Sequence, residues 1–262
     1  MTCNFPLTWL PQRSSKPREK GLTMVMDKGL SIREAADMSD VAGEYIDLVK
    51  LGFGTSLITP RLKEKLALYK EAGLRPYFGG TLFELFIIRN AFDEFRKMIS
   101  DHKMDLVEIS DGSMYMDHEK KLEYIRTLAN DVTVLSEVGS KQAGVIISDE
   151  QWVRMTKNEL QAGVWKVIAE ARESGNMGIY KNDGDANKKL IDDIIKEVPE
   201  EKILWEAPIK KQQVWFIKLL GAEVNLGNIP TNEVIPLETL RLGLRGDTFN
   251  EFLPDELKKN YK

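Results

Sequence analysis

The chain has 262 residues, 42% of them hydrophobic, with 37 Lys and Arg against 41 Asp and Glu for a formal net charge of −4. That length and apolar content suffice for one large buried core, and the interspersed charges form no basic stripe with aromatics, which argues against a nucleic-acid partner. A single cysteine (Cys3), no apolar run near the roughly 18–20 residues of a membrane span, and no signal-peptide order at the N-terminus predict a cytoplasmic protein.

Residues 1–20 read as a Pro- and Lys-rich leader, after which strands and helices alternate. A strand over Leu22–Gly29 precedes a helix begun by Ser31, whose hydroxyl suits an N-cap. A second strand over Asp47–Ser56 leads to a helix with Thr59 and Pro60 as cap and first turn and Gly73 as its stop. The third strand, "LRPYFGGT", is followed by one long amphipathic helix over Leu82–Lys103. Strand Asp105–Ser110, helix Asp117–Asn130, strand "VTVLSEVG" and helix Asp149–Gly163 come next. Then follow strand Trp165–Ser174, a polar loop, helix Lys188–Val198, strand Lys202–Pro208 and helix Lys210–Leu220. Strand Glu223–Ile229 and helix Glu233–Leu242 close the series. Eight strand–helix units with short connections, and no G-x-G-x-x-G after the first strand, predict an α/β fold. An open doubly wound sheet would alternate in the same way, but these two features favour a single (β/α)8 TIM barrel over residues 21–262, with a C-terminal tail from about Gly246.

In such barrels chemistry collects at the C-terminal strand ends. The sequence places Asp27 and Lys28, Lys50, "GGT", then Glu108, Ser110 and Asp111 there. Further on it places Glu137 and Lys141, Glu170 and Arg172, Glu206, and finally Asn225, Gly227 and Asn228. Acidic residues near four consecutive ends would repel one another unless a cation joined them, and Mg²⁺, a hard oxygen-liganded ion, or the nearby lysines and Arg172 would serve. Any one of these groups reads equally as a surface ion pair, and Lys141 alone reads as a solvated loop lysine. What favours a site is that the same end of each strand is polar. Gly227 and Asn228 occupy the place where barrels commonly bind phosphate, after the last strands. Arg241 and Arg245 read as helix-surface or subunit-contact residues. His102 and His118 fall at helix ends and read as solvent-facing, so proton transfer is left to lysine or carboxylate. Trp152, Trp165, Trp205 and Trp215 lie on periodic apolar positions and read as core.

The strings "DKGL", "KLGFGTS", "GGTLFE", "EISDG", "EVGSK", "EARESG", "WEAP", "VNLGNI" and "LETLRLGLRGDTF", in this order from about Leu22 to Phe249, together resemble the phosphosulfolactate synthase family. The resemblance implies a barrel enzyme that adds sulfite to phosphoenolpyruvate with Mg²⁺, giving (2R)-phospho-3-sulfolactate. It would be a carbon–sulfur lyase run in the addition direction, a homo-oligomer such as a trimer, with its product used toward coenzyme M or sulfolactate. The family's "EVG-x-K" lysine maps to Lys141, here preceded by Ser140 where members often carry lysine. Addition of sulfite leaves charge spreading from C2 into the carboxylate, which a divalent cation would stabilise. The candidate metal ligands are Asp111, Glu137 and Glu170, with Glu206 next, and Lys141 is the candidate proton donor. Lys50 and Arg172 are assigned to phosphate, carboxylate or sulfite, and Ser174, Asn225, Gly227 and Asn228 complete the substrate-binding set. Two alternatives stand beside this reading: a metal-free Schiff-base aldolase using Lys141 or Lys50, and a non-catalytic, stress-related or interaction barrel.

Overall fold

The structure is a computed structural model that describes residues 4–139, 147–171, 178–181 and 183–259. Its eight strands are β1 (Thr23–Asp27), β2 (Leu48–Leu51), β3 (Arg75–Phe78), β4 (Leu106–Ile109), β5 (Thr133–Val138), β6 (Lys166–Ala169), β7 (Ile203–Glu206) and β8 (Leu226–Pro230). Every pairing is parallel, in the order β3-β2-β1-β8-β7-β6-β5-β4. The two ends of that order meet through side chains. Arg75 at the start of β3 reaches Asp105 at 3.1 Å and the Thr133 hydroxyl at 3.1 Å, and beyond β3 the Gly80 N–H donates to Glu108 of β4 at 2.6 Å. The sheet is therefore a nearly closed barrel, as the alternating pattern predicts.

Ten helices surround it among the described residues: α1 (Ile32–Ala42), α2 (Leu62–Glu71), α3 (Gly80–Ile87), α4 (Phe92–Asp101), α5 (His118–Leu128), α6 (Asp149–Gln161), α7 (Lys188–Glu197), α8 (Lys210–Leu220), α9 (Val234–Arg241) and α10 (Asp255–Lys258). Ser31 caps α1 in a reciprocal capping box with Glu34, and Asp117 and Ser148 cap α5 and α6, so three starts follow local side-chain chemistry. Two expectations are corrected. The single helix over Leu82–Lys103 is two, because Asn90 takes φ 55° and ends the first, whose true start at Gly80 lies in the expected tail of β3. Thr59 does not cap α2: its hydroxyl donates to the Thr55 carbonyl, and α2 starts after Arg61, itself at φ 55°.

The interior is layered with period two. Leu48, Leu106, Leu135, Ile168 and Leu204, all at most 1% exposed, are each followed two residues later by a buried charged residue: Lys50, Glu108, Glu137, Glu170 and Glu206. One pleat thus turns an apolar floor into a charged layer at the C-terminal end. Trp205 stacks outward on Phe216 of α8, as core, and Trp152 is buried, whereas Trp165 and Trp215 are half-buried against the hydrophobic core. No described helix is long and apolar enough to cross a membrane.

The opposite, N-terminal end is sealed by the leader. Arg13 pairs with Glu238 at 2.9 Å and with Glu223, and Arg18 pairs with Asp47 at 2.8 Å. Lys166 donates to the carbonyls of Glu19 and Glu201. Arg241, expected on a helix surface or at a subunit contact, is instead fully buried here, its guanidinium donating to the carbonyls of Ala222, Val224 and Leu22. A planar fork of five donors suits three carbonyls gathered at strand starts, where the Leu22 carbonyl also accepts from the Leu226 N–H and that of Ala222 from Arg13. In the C-terminal tail, Thr248 is buried and donates to the Leu240 carbonyl, and Phe252 packs on the core.

Candidate functional site

Lys50, the third residue of β2, stands in the barrel interior. Its ammonium lies 3.0 Å from Glu108 of β4, 3.4 Å from Glu137 of β5 and 3.4 Å from Glu206 of β7. Side chains from β2, β4, β5 and β7 can meet only across the inside of the barrel, so four sequence-distant residues share one point in its C-terminal half. All four are at most 6% exposed. Burial works against the ammonium's charge, but Glu108, Glu206 and Glu137 outweigh it and hold the Lys50 pKa well above the ordinary lysine value. Lys50 is therefore a fixed positive charge.

Neighbouring groups hold this cluster in place. Glu108 also accepts from the Gly80 N–H at the start of α3, and a Cβ at Gly80 would lie 2.3 Å from the Ser110 hydroxyl and 2.8 Å from the Glu108 carboxylate. Only glycine leaves that approach open. Tyr77, opposite Lys50 in the β2–β3 register, is buried, and burial followed by Glu108 pushes its hydroxyl well above the usual phenol range, so it remains a neutral group. The second Glu206 oxygen accepts from the Ala171 N–H at 2.8 Å, and Tyr180 donates to the Glu206 carbonyl at 2.6 Å. Glu170 follows β6 directly and is 1% exposed. Gly139, with φ 147°, packs against it: a Cβ there would lie 2.7 Å from the Glu170 Cβ.

Of the residues selected from sequence, Lys50, Glu137 and Glu206 converge, and Glu170 belongs to the same layer. Gly227 stands opposite Glu206 in the β7–β8 register, with the Met24 side chain against it. Asn228 sits at φ 56° where the β1–β8 register shifts, and its side-chain oxygen is buried without a hydrogen-bond partner among the described residues. Such a bulge re-aims a side chain beside a barrel mouth. Asn225 is corrected: it precedes β8 at the opposite end of the barrel, accepting from the Leu22 N–H and donating to the carbonyls of Glu201 and Ile203. It closes the floor and faces no substrate space. Asp111 is not brought to the Lys50 cluster either; its carboxylate pairs with Lys121 of α5 at 2.8 Å. Lys141, Arg172 and Ser174 lie outside the described residues.

Glu108 was visible at a strand end but was passed over for Asp111. The signal that separates them is parity: Glu108 follows the buried Leu106 by two residues and so faces inward, whereas Asp111 lies beyond the strand. As to a metal, the buried carboxylates have the oxygen chemistry a hard cation takes, yet among the described residues no group of three or more His, Cys, Asp or Glu is disposed to hold one. Three of the carboxylates surround Lys50 instead. A hard cation beside them would therefore take at most one or two protein carboxylates and complete its shell with other oxygens.

The histidines are less exposed than expected. His102 is half-buried, its Nδ1 2.9 Å from the Met98 carbonyl and its ring edge-on to Phe78. His118 lies 3.8 Å from the buried Glu159. Burial first, then Lys121, pushes its pKa below the ordinary 6.5. The folded state thus resists a proton that the unfolded state takes up readily, so stability is intact above about pH 6.5 and is lost as pH falls toward the folded value. Urea midpoints for wild type and His118→Gln between about pH 5 and 7.5 test this. Wild type should lose more stability on acidification than the variant, and parallel curves would show that His118 contributes no such slope.

Fold and site together define a (β/α)8 barrel that gathers buried charges at its C-terminal mouth, the place where such barrels carry out chemistry. The profile of the (2R)-phospho-3-sulfolactate synthase (ComA) family matches residues 11–247. The phosphosulfolactate synthase of Bacillus subtilis strain 168 is 42% identical over 243 residues, covering 92% of this chain and 96% of that protein. That of Methanocaldococcus jannaschii is 43% identical over 241 residues, covering 89% and 95%. Among solved structures, 3-hexulose-6-phosphate synthase from Salmonella typhimurium superposes with a TM-score of 0.55 at 14% identity, over 86% of this chain and 100% of that one, a likeness of fold alone. This chain belongs to the (2R)-phospho-3-sulfolactate synthase family.

Proposed function

We propose that the protein is a phosphosulfolactate synthase, joining sulfite to phosphoenolpyruvate to give (2R)-phospho-3-sulfolactate. The observation that carries the reading, beside membership of the family, is Lys50 held charged among Glu108, Glu137 and Glu206 at the mouth of the barrel. In the reaction the sulfur lone pair forms the bond to the methylene carbon. The C2–C3 π pair moves to C2 and into the carboxylate, and C2 then takes a proton while the phosphate stays attached. Lys50 and Arg172 are the cations assigned to the anions, the Lys50 charge being shared with its three carboxylates. Lys141, four residues after Glu137, gives the proton to one face of C2. Mg²⁺, held through carboxylates among Glu137, Glu170 and Glu206, would supply divalent charge beside the developing dianion when bound. The protein would work in the cytoplasm as a homo-oligomer.

Lys50 speaks against the Schiff-base alternative in its own case. A nucleophilic lysine must present a neutral amine, and the three carboxylates hold this one protonated.

The test is consumption of phosphoenolpyruvate with sulfite, with and without Mg²⁺, by wild type and by Lys141→Ala. Turnover should require sulfite and Mg²⁺, and the variant should retain its fold but lose roughly 10²–10⁴-fold in rate, the usual contribution of a general acid. A wild-type protein inactive on this pair overturns the reading, and borohydride trapping with carbonyl substrates then examines the aldolase.

A further inference from the structure

We propose that Lys121 is a positioning residue of the reaction: from outside the barrel it fixes the C-terminal end of β5 and so aims the Glu137 carboxylate at the mouth. The inference rests on the synthase reading for its activity readout, and on the geometry of β5 alone for its structural one.

Lys121 sits on α5, away from the substrate side, and is fully buried. Its ammonium donates to the Glu137 backbone carbonyl at 2.6 Å and pairs with Asp111 at 2.8 Å and with Glu159 of α6 at 2.9 Å. The ammonium therefore donates to two acceptors, on strand β5 and the segment after β4, and forms an ion pair with a third group on helix α6. The position of the first acceptor is what matters. The Val138 carbonyl accepts from the Glu170 N–H on the β6 side. Alternation along a strand turns the preceding carbonyl, that of Glu137, to the β4 side. There the register ends with Ile109 opposite Ser136, so no residue of β4 stands level with Glu137. Lys121 takes the place of the strand residue that β4 is too short to provide.

Holding that carbonyl sets the orientation of the Glu137 peptide, and with it the direction of the side chain that reaches within 3.4 Å of Lys50. Stability alone gives little reason for such an arrangement, because well-packed apolar residues often replace a buried ion cluster at no loss. A defined geometry gives a better one. A lysine that aims a working carboxylate belongs just behind it, bonded to its main chain, as Lys121 is.

Lys121→Met alone leaves Asp111 and the fully buried Glu159 without their ammonium, and unfolding would then obscure the result. Lys121→Met/Glu159→Met removes both fully buried partners and keeps the site filled. The expected outcome is a melting temperature close to wild type, phosphoenolpyruvate binding by calorimetry unchanged, KM within about twofold, and kcat lowered roughly 10- to 100-fold, as for a working group displaced by a fraction of an ångström to an ångström. Hydrogen exchange by mass spectrometry on both proteins reads the geometry without turnover: amides at residues 138–139 should exchange at least about tenfold faster in the double variant, with the middle of β5 unchanged. A double variant that regains wild-type kcat along with wild-type stability overturns the proposal and leaves Lys121 a packing residue. If wild type itself does not turn over phosphoenolpyruvate and sulfite, the synthase reading fails, and exchange alone decides: an unchanged strand end overturns the positioning role.

Discussion

Lys50→Met is expected to abolish detectable turnover and to lower folding stability by about 3–5 kcal/mol, the cost of breaking a buried ion cluster by removing one partner. The cause is specific to this barrel. Glu108, Glu137 and Glu206 are each at most 2% exposed, and each lies within 3.4 Å of the one ammonium that the variant removes. Methionine matches the length of the lysine stem, so packing is nearly conserved and the loss reports on charge. The pH window follows from the direction of the shift. A lysine whose folded pKa is raised gives stability that is fully present below its unfolded value near 10.5, lost only as pH rises through the folded value. Between about pH 6 and 9 the contribution of the Lys50 titration to wild-type stability should therefore stay flat. Urea denaturation of both proteins at neutral pH, with activity measured in parallel, provides the test. A variant as stable as wild type would mean that the three carboxylates do not depend on Lys50. An active one would remove Lys50 from the site.

Gly80→Ala is expected to reach the same cluster by a different route. Its Cβ would lie 2.3 Å from the Ser110 hydroxyl and 2.8 Å from a Glu108 oxygen, and both neighbours are buried, at 0% and 1% exposure. Ser110 also donates to Glu84 of α3, so it has little room to withdraw. The methyl group must therefore displace Glu108, which loses its 2.6 Å bond to the Gly80 N–H and its 3.0 Å contact with Lys50. Overpacking of this kind costs roughly 1–3 kcal/mol, and moving the partner of Lys50, the charge proposed to bind substrate, should lower kcat/KM by about 10- to 100-fold. Alanine is otherwise a better helix residue than glycine. A stable, fully active Gly80→Ala would show that the close approach at the start of α3 has no part in holding Glu108.

How much of this was legible in the sequence follows from which interactions are local. Eight apolar strand runs, an N-cap residue such as Ser31 and a stop such as Gly73 act within a few residues of themselves, so the alternation and the barrel could be read before any contact was known. The break between α3 and α4 was not readable: Asn90 looks like any helix-tolerated polar residue until its φ of 55° is seen. Candidate site residues were readable as a set, because charges recur at the same end of consecutive strands and the motif strings are specific to one family.

What the chain by itself determined, then, is its fold class, its family, and the fact that Lys50, Glu137, Glu170 and Glu206 lie where barrels do chemistry. Which charges meet which was decided only in three dimensions. Lys50 and Glu206 are 156 residues apart in the chain and 3.4 Å apart across the barrel, a distance set by strand order, stagger and pleat parity rather than by either residue's neighbours. The same tertiary geometry sent Asn225 to the floor, Asp111 to Lys121 and Arg241 into the core, because a side chain answers to whatever polar group the fold sets beside it.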